Sequence, residues 1–217
     1  MDVSQPAITM PSIGSPAPDF EALSTTGRIK FADFAPGKWV VFFSHPADFT
    51  PVCTTEMSGF ATRQQEFTAL NAELLGLSID SIHSHIAWVN NVREKSGVYF
   101  RFPIIADLDM KVAHLYGMLQ PGASETAAVR AVFFIDPAHI VRLIMYYPMS
   151  VGRNMEEILR VLKAMQFSDE HKVSLPLDWQ PGDKVLLPAP QTLEQLDARL
   201  ADDSAEKMDF YLAKKQL

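Results

Sequence analysis

Phe43-Ser44-His45-Pro46-Ala47-Asp48-Phe49-Thr50-Pro51-Val52-Cys53-Thr54-Thr55-Glu56 is the stretch on which the fold turns. It continues the apolar run Trp39-Val40-Val41-Phe42-Phe43, whose aromatic and β-branched residues predict a strand buried on both faces. Thr50 followed by Pro51 predicts a helix start, with threonine as N-cap and proline at the first helical position. The segment therefore reads as strand, loop and helix, and it places Cys53 in the first helical turn. Unpaired backbone N–H groups and the positive end of the helix dipole gather there.

Working outward, strand-like runs recur at Leu74 to Ile79, Ala131 to Ile135 and Val141 to Tyr147, each ending at Ser, Asp or Pro. Helical stripes lie between and after them. Cys53, Met57, Phe60, Ala61, Gln64 and Phe67 trace one face of a single helix. Met155, Ile158, Leu159, Leu162 and Met165 trace another. Strands alternating with helices predict an α/β layered fold with a sheet covered on both sides.

Beyond residue 166 the pattern changes. Leu175 to Asp183 and Leu187 to Pro190 are punctuated by proline, and a helix is expected from about Leu193 to Leu200. The division predicted is a core domain, 1–166, with a C-terminal extension, 167–217. So short an extension is not expected to bury Trp179, Phe210 and Tyr211 by itself, and packing on another surface, such as a second subunit, is expected.

The 217 residues are 47% apolar and 21% charged, a globular composition. Nineteen basic against 26 acidic side chains give a net charge of −7, which disfavours nucleic acid and anionic membranes as partners. The first twenty residues show no basic segment followed by an apolar one, so no secretory leader is predicted. No apolar run approaches the ~20 residues of a membrane span. A single cysteine excludes an intrachain disulfide and agrees with a reducing, cytoplasmic setting.

Can the helix alone activate Cys53? An ordinary thiol, with pKa about 8.5, is only a few per cent thiolate at neutral pH. Lowering that value to about 6 takes roughly 3.4 kcal/mol, whereas a helix terminus supplies about 2 at most. A cation is required, and an arginine fork suits best because it can hold a thiolate and a polar substrate together. Inert packing on the apolar stripe is the competing reading of the same residue.

Pro46-Ala47-Asp48-Phe49-Thr50-Pro51-Val52-Cys53 fits the P-x-x-x-T/S-x-x-C signature of the peroxiredoxins, which are thiol peroxidases. Further stretches resemble the single-cysteine (1-Cys, peroxiredoxin 6-type) branch: Arg130 to Pro137, Tyr147 to Asn154, Ser81 to Trp88 and Asp178-Trp179. The resemblance spans about Ser12 to the C-terminus and favours chemistry over packing for Cys53. It implies a thioredoxin-like fold, a central mixed sheet flanked by helices, with a C-terminal arm. It also implies a homodimer at least, with a larger assembly such as a decamer left open.

By that resemblance the chain reduces hydrogen peroxide and organic hydroperoxides in antioxidant defence, through a sulfenic acid at Cys53. Arg130 is then the required cation, Thr50 donates to and accepts from the reacting groups, and Pro46 shields the site. His45, Glu56 and Arg153 are implied as supporting residues, the last two forming an ion pair. No cofactor or metal is implied. With no resolving cysteine in the chain, an external reductant is needed: glutathione, a thioredoxin-like protein or ascorbate.

Other readings are weaker. A dithiol oxidoreductase needs C-x-x-C, and Glu56 occupies the partner position. A cysteine hydrolase would have only His45 as a nearby base. A redox-sensing role would use the same thiol and stays open. The lipase motif G-x-S-x-G of some relatives is missing: Gly76 to Asp80 and Gly122 to Thr126 lack the last glycine, and Ala35 to Trp39 has no hydroxyl. His83 and His85 read as helix-start and surface residues, and Met10 and Met57 as core filling.

Overall fold

In the computed structural model of the protein, residues 10–124 and 126–217 are described. The stretch before Met10, on which the leader reading partly rests, and Glu125 of the second serine motif lie outside them. The chain divides into two compact units, residues 1–155 and 156–217.

The first unit is built on a seven-stranded sheet. Its strands are β1 (Glu21–Ser24), β2 (Gly27–Lys30), β3 (Trp39–Ser44), β4 (Ala72–Ser78), β5 (Ile104–Ala106), β6 (Arg130–Ile135) and β7 (Val141–Tyr147). Their order is β2-β1-β5-β4-β3-β6-β7. β3, β4 and β5 run parallel, while β6 and β7 continue the sheet antiparallel, so it is mixed as expected. Every residue of β3 and β6 is buried, the signature of central strands covered on both faces.

Two aromatic clusters hold the layers. On one side Phe20, Phe31, Phe42, Tyr116 and Phe133 pack with centroids 4.9–6.4 Å apart. Phe43, on the opposite face of β3, stacks on Phe60 of helix α1 (Pro51–Thr62) at 3.9 Å. Alternation along the strand thus sends neighbouring phenylalanines into different layers. The Phe43–Phe60 stack fixes α1 against the sheet, with Cys53 two turns earlier on the same face.

The single helix expected through Phe67 is broken. α1 ends at Thr62 and α2 (Gln64–Ala69) begins after Arg63. The Thr62 hydroxyl donates back to the carbonyls of Ser58 and Gly59, a bond that bends helices, and the Arg63 N–H is shared between Gly59 and Ala61. Helix α3 (Ile82–Ser96) starts on a Ser81 cap that accepts from the Ser84 N–H, and it stops at Gly97 with φ +73°. Helix α4 (Lys111–Leu115) precedes β6. Met57 is core as expected; Met10 is exposed and is not.

The second unit holds α5 (Met155–His171, whose first residue closes the first unit), β8 (Val185–Leu186), α6 (Leu193–Ala201), β9 (Glu206–Asp209) and β10 (Leu212–Lys215). The expected stripe on α5 is buried at Ile158, Leu159 and Leu162. A three-stranded sheet, β8-β10-β9, went unforeseen because each strand is only two to four residues long. Trp179 departs from expectation: it is 1% exposed without any second subunit, 4.9 Å from the Phe167 ring, with its indole N–H donating to Asp183 O. Phe210 and Tyr211 remain 39% and 53% exposed.

Candidate active site

Cys53 is the third residue of α1 and is fully buried. Arg130, at the start of β6, brings Nη1 to 3.4 Å from its Sγ. That guanidinium is held on both sides: Nε and Nη2 donate to Met149 O at 2.9 and 2.7 Å, and Nη1 donates to Glu56 Oε2 at 2.6 Å. Glu56 stands three residues after Cys53, so one helical turn presents both the thiol and the carboxylate to the same arginine.

Glu56 also binds Arg153. Its Oε1 accepts from the Arg153 backbone N–H at 2.8 Å and from Nε at 2.9 Å, and Oε2 accepts from Nη2 at 2.8 Å. The remaining Arg153 nitrogen, Nη1, donates to Ser44 O and Ala131 O, and the guanidinium lies 5.3 and 5.5 Å from the Phe43 and Phe60 rings. Burial pushes the Glu56 carboxyl up, but the charge and hydrogen bonds of Arg153, with the charge of Arg130, outweigh it and hold it below its ordinary value. Glu56, Arg130 and Arg153 are therefore one buried network rather than a simple pair. Gly152 fits beside it, where a Cβ would touch Val52 at 3.5 Å.

Thr50 occupies the N-cap position with extended backbone, φ −105° and ψ 150°, but its hydroxyl makes no cap bond. It donates instead to Ala47 O at 2.8 Å. This corrects the expected side-chain cap: the hydroxyl turns back into the loop, and α1 begins on Pro51 geometry. Pro46 is buried at the head of that loop, and Phe49 takes φ +56°, the left-handed conformation that turns the chain into α1.

His45 points elsewhere. Its Nε2 meets Asp48 Oδ1 at 2.9 Å, while the other carboxylate oxygen meets His85 Nδ1 at 2.8 Å, and His85 Nε2 lies 3.1 Å from Ile105 O. All three side chains are buried, so His85 is not the surface residue expected, although His83 is exposed. Burial raises the Asp48 carboxyl, yet the hydrogen bonds from both histidines overcome this and hold it far below the carboxylate range. Burial lowers His45 against the pull of Asp48. Donor atoms of these three residues lie within 4.8 Å of one another, a spacing that one metal ion could bridge. They are already hydrogen-bonded to each other, and His85 also to Ile105 O. The sequence reading missed Asp48 and His85 because 37 residues separate them, and only the neighbouring ends of β3 and α3 bring them together.

The match to known proteins follows this geometry. Residues 13–144 match the AhpC/TSA family, and residues 164–202 match the C-terminal domain of 1-Cys peroxiredoxin. The chain is 50% identical over 215 residues to a peroxiredoxin of Methanosarcina mazei, covering 95% of this chain and 98% of that one. A solved yeast mitochondrial 1-Cys peroxiredoxin superposes with a TM-score of 0.84 at 40% identity, over 96% of this chain and 100% of that one. A cysteine-to-serine mutant of peroxiredoxin 6 from Arenicola marina gives 0.85 at 36% identity, over 94% and 97%. The thioredoxin-type sheet and these matches place the chain among the thiol peroxidases. The chain belongs to the peroxiredoxin family, in its 1-Cys branch, and is a peroxidase.

Proposed function

We propose that Cys53 reduces hydrogen peroxide and organic hydroperoxides as a thiolate. The observation that carries this is the 3.4 Å approach of Arg130 to Sγ inside a buried group whose other charges do not cancel. Two guanidiniums and one carboxylate leave one positive charge, and an anionic sulfur neutralises it. The sulfur attacks the terminal peroxide oxygen; an S–O bond forms, the O–O bond breaks, and the leaving alkoxide or hydroxide takes a proton to become alcohol or water. Cys53 is left as a sulfenic acid.

Arg130 orients the peroxide and stabilises charge on the departing oxygen, while Glu56 and Met149 O hold its fork in place. The Thr50 hydroxyl donates to the peroxide when it leaves Ala47 O, and Pro46 keeps water from the sulfur. Arg153 positions Glu56. His45 supports the loop through Asp48.

An external thiol condenses with the sulfenic acid, releasing water and forming a mixed disulfide that a second thiol opens. The yeast relative is described with a thiol-resolving mechanism through glutathione and thioredoxin systems, which supports a thiol over ascorbate here. Exposed Phe210, Tyr211, Leu177 and Met208 support packing of the extension, residues 167–217, on a partner in a homodimer. Among the described residues no helix is long and apolar enough to cross a membrane. A lone thiol supports the cytoplasm as its site of work.

The test is a stopped-flow reaction of reduced protein with one equivalent of peroxide, followed by sulfenate trapping and intact mass. Oxidation at about 10⁵ M⁻¹s⁻¹ or faster, with the adduct on Cys53 and none in Cys53→Ser, is expected. The slow rate of a free thiol would refute the proposal.

A further inference from the structure

A cleft of about 390 Å³, floored by the apolar Ile86, Val89 and Phe100, opens between the β1–β2 turn, the outer face of α3 and the loop before β5. Its walls carry Arg93, Arg101, Tyr99 and the hydroxyl residues Thr25 and Thr26. Both guanidiniums stand against one ring, 4.9 and 5.6 Å from the Tyr99 centroid. Stacking of this kind restrains the forks while leaving their N–H edges free to donate.

No carboxylate lines this cleft among the described residues. Two other clefts that carry basic side chains set carboxylates beside them, in a chain with 26 acidic and 19 basic side chains. One sets Arg28 and Lys111 beside Glu21, Asp107 and Asp109; another sets Arg199 beside Asp202. The nearest acid in sequence, Glu94, accepts from the amide of the lining residue Asn90 at 2.9 Å, so one carboxylate stands at the cleft's edge, outside its lining. The last turn of α3 is a natural place for Arg93, since cations favour a helix C-terminus. That reason does not extend to Arg101, which lies outside any regular element.

We propose that this cleft binds a small phosphate-bearing anion, held between the Arg93 and Arg101 forks with hydroxyl donors from Tyr99 and Thr26. Two planar forks match the several oxygens of a phosphate better than the single charge of a carboxylate. The surrounding negative charge disfavours a large polyanion and leaves room for a compact ligand. This site is independent of the Cys53 chemistry.

Calorimetric titration of the full chain with pyrophosphate, AMP and inorganic phosphate tests it, with phosphatidic-acid vesicles as a separate arm. Saturable binding is expected that weakens between about 50 and 200 mM salt. The R93Q/R101Q double variant should lose about tenfold or more in affinity, and R101K less, because it keeps the charge and loses the fork. Peroxide consumption and the circular dichroism melt should match the parent, and if the double variant misfolds, the single variants R93Q and R101Q replace it. Binding to the soluble phosphates assigns the source to a free phosphate, and binding confined to vesicles assigns it to a lipid headgroup; either supports the site. No saturation in any arm up to about 10 mM, or undiminished affinity in the Arg variants, overturns it.

Discussion

At Arg130 a single side chain meets three partners with different needs: the sulfur, a carboxylate and a main-chain carbonyl. Lysine at this position keeps the charge but can satisfy only part of that set. Arg130→Lys is expected to slow peroxide reduction by about 10- to 100-fold with little change in fold, read by stopped-flow fluorescence and a thermal melt. Acid acts on the same layer. His45 is held below its ordinary value of 6.5 and Glu56 below 4.5, so the unfolded chain binds more protons in both cases. Stability from these groups is fully present at neutral pH. It declines below pH 6.5 as His45 must charge on unfolding, and again below 4.5 as Glu56 is protonated. Chemical denaturation at stepped pH should give a midpoint that falls in two stages, one for each buried cluster, and a midpoint flat from about pH 7 to about pH 4 would contradict both.

At the level of elements, what was legible follows from burial on both faces. β3, β4 and β6 could be read because buried apolar residues run almost unbroken through them, and the edge strand β7 because its apolar run is as long although only half-buried. β1, β2 and β5 could not, since three or four residues carry too little pattern. The Thr50–Pro51 helix start was visible, yet the hydroxyl's choice of Ala47 O depends on loop geometry that no spacing reveals. The same limit hid the carboxylate joining His45 to His85, whereas a cation for Cys53 was demanded by energetics before any position for it was known. The Ser81 cap on α3 is the test at this scale. Ser81→Ala should cost about 1 kcal/mol by removing the acceptor for the Ser84 N–H, measured as a lower unfolding midpoint in urea.

For the molecule entire, the apolar surface left on the second unit matters most. Phe210 and Tyr211 form an edge-to-face pair, with centroids 5.6 Å apart, that remains open to solvent. Light scattering is expected to give at least twice the 24.2 kDa chain mass. Phe210→Asp with Tyr211→Asp should move the population toward the monomer, because two charges then oppose apolar burial. Unchanged mass in that variant would place the contact elsewhere.

Finally, the enclosure of Cys53 makes the helix start a sieve. A molecule of two oxygens needs only a small opening to reach the sulfur, whereas a bulky maleimide must wait for the first turn of α1 to unwind. Reactivity toward large electrophiles should therefore report how often that turn opens, and bulky organic hydroperoxides are expected to react no faster than that opening allows.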